Sequence, residues 1–414
     1  MPDLQPVRGT HDILPDDFRL HRLIGDTAAE IAARHGFREM TPPIFEFTEV
    51  FSRTLGETSD VVTKEMYTFD DRGGDQITLR PEFTAGIARA FMSNGLAQEA
   101  PLKLFARGPV FRHERPQKGR LRQFHQVDVE ILGVPGAQAD IEVLAVAQHL
   151  LEELGIAQDV TLSLNTLGDM ESRLRYRETL IGYLTPFKAE LSEDSRQRLE
   201  RNPMRIFDSK DAGDQKIMAA APLLQDHLND ASRAFFDEVK AGLDGLGIAY
   251  KVDPRLVRGL DYYTHTAFEF VTDRLGAQGT VLAGGRYDGL MEMMGGRPTP
   301  GIGWAAGVER LAMMAGAAPA AVKPIVIIPL GDEAQAPAMK IAMDLRRSGH
   351  VVDMGYSGNL KKRMARADKA GAKAVLILGS DELARGVATL RNMESGTQAE
   401  LKLSDLVETL KLHF

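Results

Sequence analysis

The sequence contains no cysteine, which removes disulfides, thiolate nucleophiles and cysteine-ligated zinc while leaving His, Asp and Glu chemistry open. Long hydrophobic runs are also missing: apolar stretches such as residues 325–330 are far too short to cross a bilayer. The opening MPDLQPVRGTHD lacks the basic start and apolar stretch of a secretory signal, so a cytoplasmic protein with no membrane association is expected. Net positive charge is absent as well. A formal charge of −8 argues mildly against nonspecific nucleic-acid binding, which needs positive potential. Basic residues are nonetheless concentrated locally. Lys103, Arg107, Arg112, Arg115, Lys118, Arg120 and Arg122 are opposed only by Glu114, and Lys361, Lys362, Arg363, Arg366, Lys369 and Lys373 only by Asp368. Taken alone, the second cluster reads as a solvated face. At 414 residues with ordinary composition, the chain has material for two or three hydrophobic cores.

Residues 18–35 carry Leu20, Leu23, Ile24, Ala28, Ile31 and Ala32 at helical spacing, and Gly36 is a natural stop. Short strand-like segments follow at 44–47, 66–69 and 77–80, then a helix over 84–92. The stretch 103–132 reads as two antiparallel strands joined by the turn-rich basic segment Arg115-Pro-Gln-Lys-Gly-Arg120. Alternation along the second strand puts His125, Val127, Val129 and Ile131 on one face and Phe124, Gln126, Asp128 and Glu130 on the other. Arg112 and Glu114 are expected to share a face of the first strand. A sheet with one apolar face and one face crowded with charge suits a binding floor more than an exposed surface, with a solvated face the alternative for Asp128 in particular.

Residues 171–250 are helical in pattern and interrupt the strands, as an inserted domain would. Strands resume at 266–272 and 280–283, and Gly284-Gly285 and Gly295-Gly296 read as turns. The segment Gly301-Ile-Gly-Trp-Ala-Ala-Gly307 leads into a helix with Glu309 and Arg310. Residues 315–324 have linker composition. Beyond them, buried-type strands at 325–330, 351–354 and 374–378 alternate with helices at 334–348 and 360–370, predicting a small α/β domain with a largely parallel sheet. The fold class expected is therefore α+β, an antiparallel-sheet core over residues 1–314 interrupted at 171–250, with an α/β domain at 325–414.

Five stretches carry the functional signal, and they occur in order. Phe111-Arg-His-Glu114, the basic loop and Arg122-Gln-Phe124 resemble the second signature of class II aminoacyl-tRNA synthetases, and Gly301–Arg310 resembles the third. Pro43, after a long helix, fits the weakly defined first signature, which builds a dimer interface in that class. Leu256-Val-Arg-Gly-Leu-Asp-Tyr-Tyr263 and Ala283-Gly-Gly-Arg-Tyr-Asp288 resemble stretches specific to histidyl-tRNA synthetases, as does Thr78-Leu-Arg-Pro-Glu-Phe-Thr84. The resemblance runs along nearly the whole chain.

What the resemblance implies is a homodimeric ligase that activates L-histidine with ATP and Mg²⁺ and loads it on tRNA(His). No tightly bound cofactor or resident metal is implied. Activation brings a carboxylate to an α-phosphate, so the site needs fixed cations; guanidinium groups stay charged and grip phosphate bidentately. By resemblance Arg112 holds the α-phosphate, Arg120 and Arg310 the remaining phosphates, Phe124 stacks on adenine, and Glu114 lies near the nucleotide. Arg258 is the expected main catalytic residue, acting opposite Arg112; a salt bridge to Asp261 is its structural alternative. Glu130 and Tyr263 would bind the imidazole, Glu82 and Thr84 the α-amino group and Gln126 the carboxylate, with Tyr262 and Tyr287 lining the pocket. Arg115 and Gln117 would touch the acceptor end of the tRNA, and the C-terminal domain would bind the anticodon.

Two rivals are weighed against this. A catalytically inert, histidine-binding relative that serves ATP phosphoribosyltransferase characteristically lacks an intact Arg-Gly-Leu-Asp-Tyr-Tyr stretch and the C-terminal domain, and both are present here. A dinucleotide site at Gly301, Gly303 and Gly307 would need a βαβ unit, whereas Pro298-Thr-Pro300 and antiparallel hairpins precede these glycines. His265 is expected to be a satisfied strand histidine.

Overall fold

The computed structural model describes residues 4–54, 65–257 and 262–413. Two compact units are present, Met1–Pro319 and Ala320–Phe414. In the first unit the strands are β1 (Arg38–Glu39), β2 (Phe45–Phe47), β3 (Tyr67–Asp70), β4 (Gln76–Leu79), β5 (Leu102–Phe111), β6 (Gln123–Leu132), β7 (Thr161–Thr166), β8 (Tyr250–Val252), β9 (Thr264–Val271), β10 (Thr280–Arg286) and β11 (Gly301–Gly307). Eight of them form one sheet in the order β1-β5-β6-β11-β10-β9-β7-β8, antiparallel except for the edge pairs β1/β5 and β7/β8. The remaining three form a small antiparallel sheet, β2-β4-β3.

The eight-stranded sheet has two unlike faces because its strands alternate. From β6, Val127, Val129 and Ile131 enter a core with Ile24, Ala28 and Ile31 of helix Pro15–Arg34, Val143 and Leu150 of helix Gln138–Glu153, and Leu311 of helix Val308–Met314. On the other face, Leu104, Ala106 and Val110 of β5 pack with Phe91 of helix Thr84–Ser93 and with Tyr262, Tyr263 and Tyr287. Residues 170–245 form helices Met170–Leu184, Glu193–Arg201, Ala212–Ala219 and Asp230–Gly245. Asp214 ties part of this region together: it is fully buried and accepts from the hydroxyls of Ser192 (2.7 Å), Ser195 (2.6 Å) and Ser209 (2.6 Å). Those bonds outweigh the desolvation that opposes them and hold its carboxyl down at about 2.

Several sequence-based expectations require correction. Gly284 and Gly285 lie inside β10 and are not a turn. They are glycines because a Cβ at 284 would strike Gly303 O and Trp304, and one at 285 would strike Thr266 O and the Tyr263 ring. Strand β5 ends at Phe111, so Arg112 and Glu114 belong to the loop beyond it. Asp128 does not face solvent; it is 1% exposed. His265 is not satisfied: it sits at φ 44° beside an irregularity in the β9/β10 register, stacks on Phe235, and its Nδ1 has no hydrogen-bond partner among the described residues.

The second unit contains β12 (Ile325–Pro329), β13 (Val352–Met354), β14 (Ala374–Leu378), β15 (Val387–Asn392) and β16 (Gln398–Lys402) in the order β13-β12-β14-β15-β16. Only β13, β12 and β14 are parallel; β15 and β16 add an antiparallel hairpin, so the sheet is mixed. Strand β15 is half-buried and mixes apolar with polar residues, and β16 is polar and mostly exposed, so neither offered the apolar run that marks the other strands of this unit.

Candidate active site

A cavity of about 540 Å³ opens on the polar face of the large sheet. Its floor is β6 and β11, and its walls come from the loop after β5, helix Thr84–Ser93, the Tyr262-Tyr263 pair and helix Val308–Met314. One end is cationic. Arg112 and Arg120 approach from the basic loop and Arg310 from the helix after β11. Arg112 is held by an Nε bond to Pro81 O (2.9 Å) and lies 5.5 Å over the Phe124 ring. Arg310 donates from Nε to Gly119 O (3.0 Å) and from Nη1 to Thr280 O (2.6 Å). Arg120 forms an ion pair with the buried Glu114.

Electrostatics shows how closely the three guanidinium groups converge. Burial, followed by the positive charges of Arg120 and Arg112, lowers the Arg310 guanidinium below its ordinary value. Burial also lowers Arg120, with Glu65 opposing and Arg112 assisting. Cations crowded against one another in a sheltered cavity are a preorganised receptor for polyanion charge, and an arriving phosphate chain relieves their repulsion.

The opposite end is acidic and aromatic. Glu130, Asp128 and Glu82 are all buried. Tyr287 donates its hydroxyl to Glu130, and Tyr262 donates to Glu82 Oε2 at 3.4 Å. Tyr262 packs its ring 4.6 Å from Tyr263 and 5.8 Å from Tyr287. Burial pushes Glu130 up to about 8, against the lowering effects of hydrogen bonds from Thr84 and Tyr287. Burial, then the nearby charges of Glu130 and Glu82, raises Asp128 well above the carboxylate range. Gln126 adds a buried amide whose Oε1 accepts no hydrogen bond among the described residues. Acidic groups stacked this deeply are complementary to a cationic or N–H-rich ligand.

Local sequence explains why the acidic end fits. Glu130 faces Gly303 across the β6/β11 register, and a Cβ on Gly303 would overlap the Glu130 carboxylate and Val129 O. Tyr287 is fixed by the residue before it. Arg286 is fully buried, donating from Nε to Asp140 (3.0 and 3.2 Å), from Nη1 to Val134 O (3.0 Å) and Asp288 (3.0 Å), and from Nη2 to Gly136 O (3.1 Å).

Of the residues singled out from sequence, Glu82, Thr84, Arg112, Glu114, Arg120 and Phe124 line this cavity. So do Gln126, Tyr262, Tyr263, Tyr287 and Arg310. Glu130 is not among the lining residues, but its carboxylate lies over Gly303 and accepts from Tyr287, which both line the cavity. Arg115 and Gln117 are exposed on the loop, where Gln117 bridges to Arg120. Arg258 and Asp261 lie outside the described residues. Sequence reasoning missed Glu65, Arg205, Asp208, Lys210 and Glu269, which also line the cavity. Arg205, Asp208 and Lys210 come from the helical region, where a lone basic residue carries no motif. Glu269 had an alternation signal on β9, shared with every other polar residue of that strand.

Comparison with known proteins agrees with this architecture. The family profile described as histidyl-tRNA synthetase matches residues 9–311, and one described as anticodon binding domain matches residues 324–413. The histidine–tRNA ligase of Rhodospirillum rubrum is 60% identical over 411 residues, covering 99% of each chain. That of Gluconobacter oxydans is 52% identical, also covering 99% of each. The crystal structure of apo histidyl-tRNA synthetase from S. aureus superposes with a TM-score of 0.83 at 36% identity, covering 98% of this chain and 99% of that one. A Bacillus halodurans structure described as an ATP phosphoribosyltransferase regulatory subunit/histidyl-tRNA synthetase shares the fold at 22% identity and a TM-score of 0.66. With the cavity, the sheet around it and the full-length relatives in agreement, the chain belongs to the histidyl-tRNA synthetase family.

Proposed function

We propose that this chain is a histidine–tRNA ligase, activating L-histidine with ATP to histidyl-adenylate and then transferring the histidyl group to the 3′ end of tRNA(His). The observation that carries the reading is a single cavity with three converging arginines at one end and buried carboxylates with tyrosines at the other. The histidine carboxylate attacks the α-phosphorus of the ATP–Mg²⁺ substrate, and pyrophosphate leaves. Arg112 holds the α-phosphate and, together with Arg258, stabilises the charge that grows in the transition state; Arg120 and Arg310 hold the leaving phosphates. Phe124 offers its ring to adenine, displacing the Arg112 guanidinium that covers it here. Glu114, ion-paired with Arg120, stands where it can approach the metal of the nucleotide. In the second step the ribose hydroxyl of the tRNA attacks the adenylate carbonyl, AMP leaves, and a phosphate oxygen takes the hydroxyl proton.

Selection of histidine falls to Glu130 and Tyr263 at the imidazole, Glu82 and Thr84 at the α-amino group and Gln126 at the carboxylate, with Tyr262 and Tyr287 closing the walls. An isosteric side chain without ring nitrogens would leave buried polar groups unpaired, a penalty large enough to discriminate without editing. Arg115 and Gln117, exposed on the loop, are suited to touch the tRNA acceptor end. We further assign 171–250 as an inserted helical domain in a core ending near 314, 315–324 as a linker and 325–414 as the anticodon-binding domain. The working form is a homodimer, because the small sheet leaves Ile44, Phe45, Phe47 and Phe69 between 44% and 58% exposed in one patch of the first unit. We place the reaction in the cytoplasm; no helix among the described residues is long and apolar enough to cross a membrane. Charging of total tRNA with each amino acid in turn tests the assignment: histidine alone should give stable acylation, and charging with another amino acid in preference would overturn it.

A further inference from the structure

Beside the cavity, which Glu309 also lines, three metal-competent side chains meet. His21 comes from helix Pro15–Arg34, His125 from β6 and Glu309 from helix Val308–Met314, and one ligand atom from each lies within 4.8 Å of the others. We propose that His21, His125 and Glu309 bind a transition-metal cation of the Zn²⁺ class, stapling these three elements together.

The donor set fits that class. Two imidazoles and a carboxylate suit Zn²⁺, Co²⁺ or Ni²⁺ and are poorly matched to Mg²⁺ or Ca²⁺, which prefer all-oxygen shells. Metal–ligand bonds of about 2.0–2.2 Å place tetrahedral ligand atoms roughly 3.4 Å apart, so small side-chain rotations close the cluster. His125 Nδ1 already lies 2.9 Å from Glu309 Oε1, and the two imidazole rings stand edge to face at 5.7 Å. With the His125 ring proton carried on Nε2, Nδ1 is free to coordinate.

Glu309 is also held in place: its two carboxylate oxygens share the His125 backbone N–H at 3.0 Å each, so Oε2 can keep that bond while Oε1 turns toward a cation. The His125 and Glu309 side chains keep 29% and 13% of their surface, enough for an ion to enter and for water to fill an open position. Two more donors are close enough to act electrostatically on His21, namely His11 and Asp17. With no cysteine in the chain, thiolates do not compete for the ion.

The test uses untagged, full-length, metal-stripped protein titrated with Zn²⁺ in calorimetry, and with Co²⁺ followed by its visible spectrum. One equivalent per chain is expected, with a Tm that rises with the logarithm of free metal. His21→Gln, on an outer helix away from the cavity, should weaken binding about 10- to 100-fold or more while leaving histidine-dependent exchange unchanged. Glu309→Gln should weaken it likewise, and His149→Gln, in the separate half-buried His35–His149 pair, should not. Absence of stoichiometric binding would mean that the three groups form only a hydrogen-bonded network, and the proposal fails. It fails equally if binding survives both His21→Gln and Glu309→Gln, or if His149→Gln weakens it as much as they do.

Discussion

A carboxylate enclosed as fully as Glu130 makes the stability of the ligand-free protein depend on pH in a direction opposite to the usual acidic residue. Burial raises it from an ordinary value of 4.5 to about 8, so between those values the folded state holds a proton that the unfolded chain releases. Stability therefore falls as pH rises through that window. Glu130→Gln, which cannot ionise, should match the native chain in Tm near pH 4.5, exceed it increasingly up to about pH 8 and hold a constant lead above that, by thermal unfolding without histidine. A gap that is constant with pH would contradict the burial argument. The same residue was legible in the sequence as a polar position on an alternating strand, because Gln126, Asp128 and Glu130 alternate with Val127, Val129 and Ile131. Its depth was not legible: Gly303, 173 positions away, provides the space, and Tyr287, separated by 157 residues, provides the bond. Nor could Asp128 be told from a solvated carboxylate, since burial depends on what covers the strand.

At the scale of elements, the Arg286–Asp140 pair joins β10 to helix Gln138–Glu153 with both side chains fully buried. Removing one partner strands the other as an uncompensated buried charge, which costs about 3–5 kcal/mol. Asp140→Ala should lower stability by that order and, because Arg286 fixes the strand end from which Tyr287 projects, also raise the KM for histidine more than that for ATP. Loss of stability with unchanged histidine KM would separate Arg286 from Tyr287 positioning. Regular elements were readable where an apolar face had a clear period, as in helix Pro15–Arg34 and β12. They were unreadable where glycine replaced side chains for reasons of close approach, as at Gly284-Gly285, or where a strand had no continuous apolar run, as in β15 and β16. Asp140 had no sequence signal at all, since its partner is 146 residues away.

At the scale of the whole molecule, each unit has its own hydrophobic core. The second is built on Ile325, Ile327, Leu345, Leu376 and Leu410, and all described cavity-lining residues belong to the first. A chain ending at Pro319 should therefore fold and retain histidine-dependent pyrophosphate exchange while losing most charging of tRNA(His). Equal loss of both activities would show that activation requires the second unit.

The central claim is a division of labour inside one cavity, with arginines for the nucleotide and a buried glutamate for histidine. Steady-state exchange of pyrophosphate into ATP, measured for the native chain, Glu130→Ala and Arg112→Ala, tests it most directly. Exchange should require histidine; Glu130→Ala should raise the histidine KM steeply with little change in the ATP KM, and Arg112→Ala should depress kcat far more than histidine affinity. Exchange without histidine, or a Glu130→Ala defect that falls on ATP, would contradict the account.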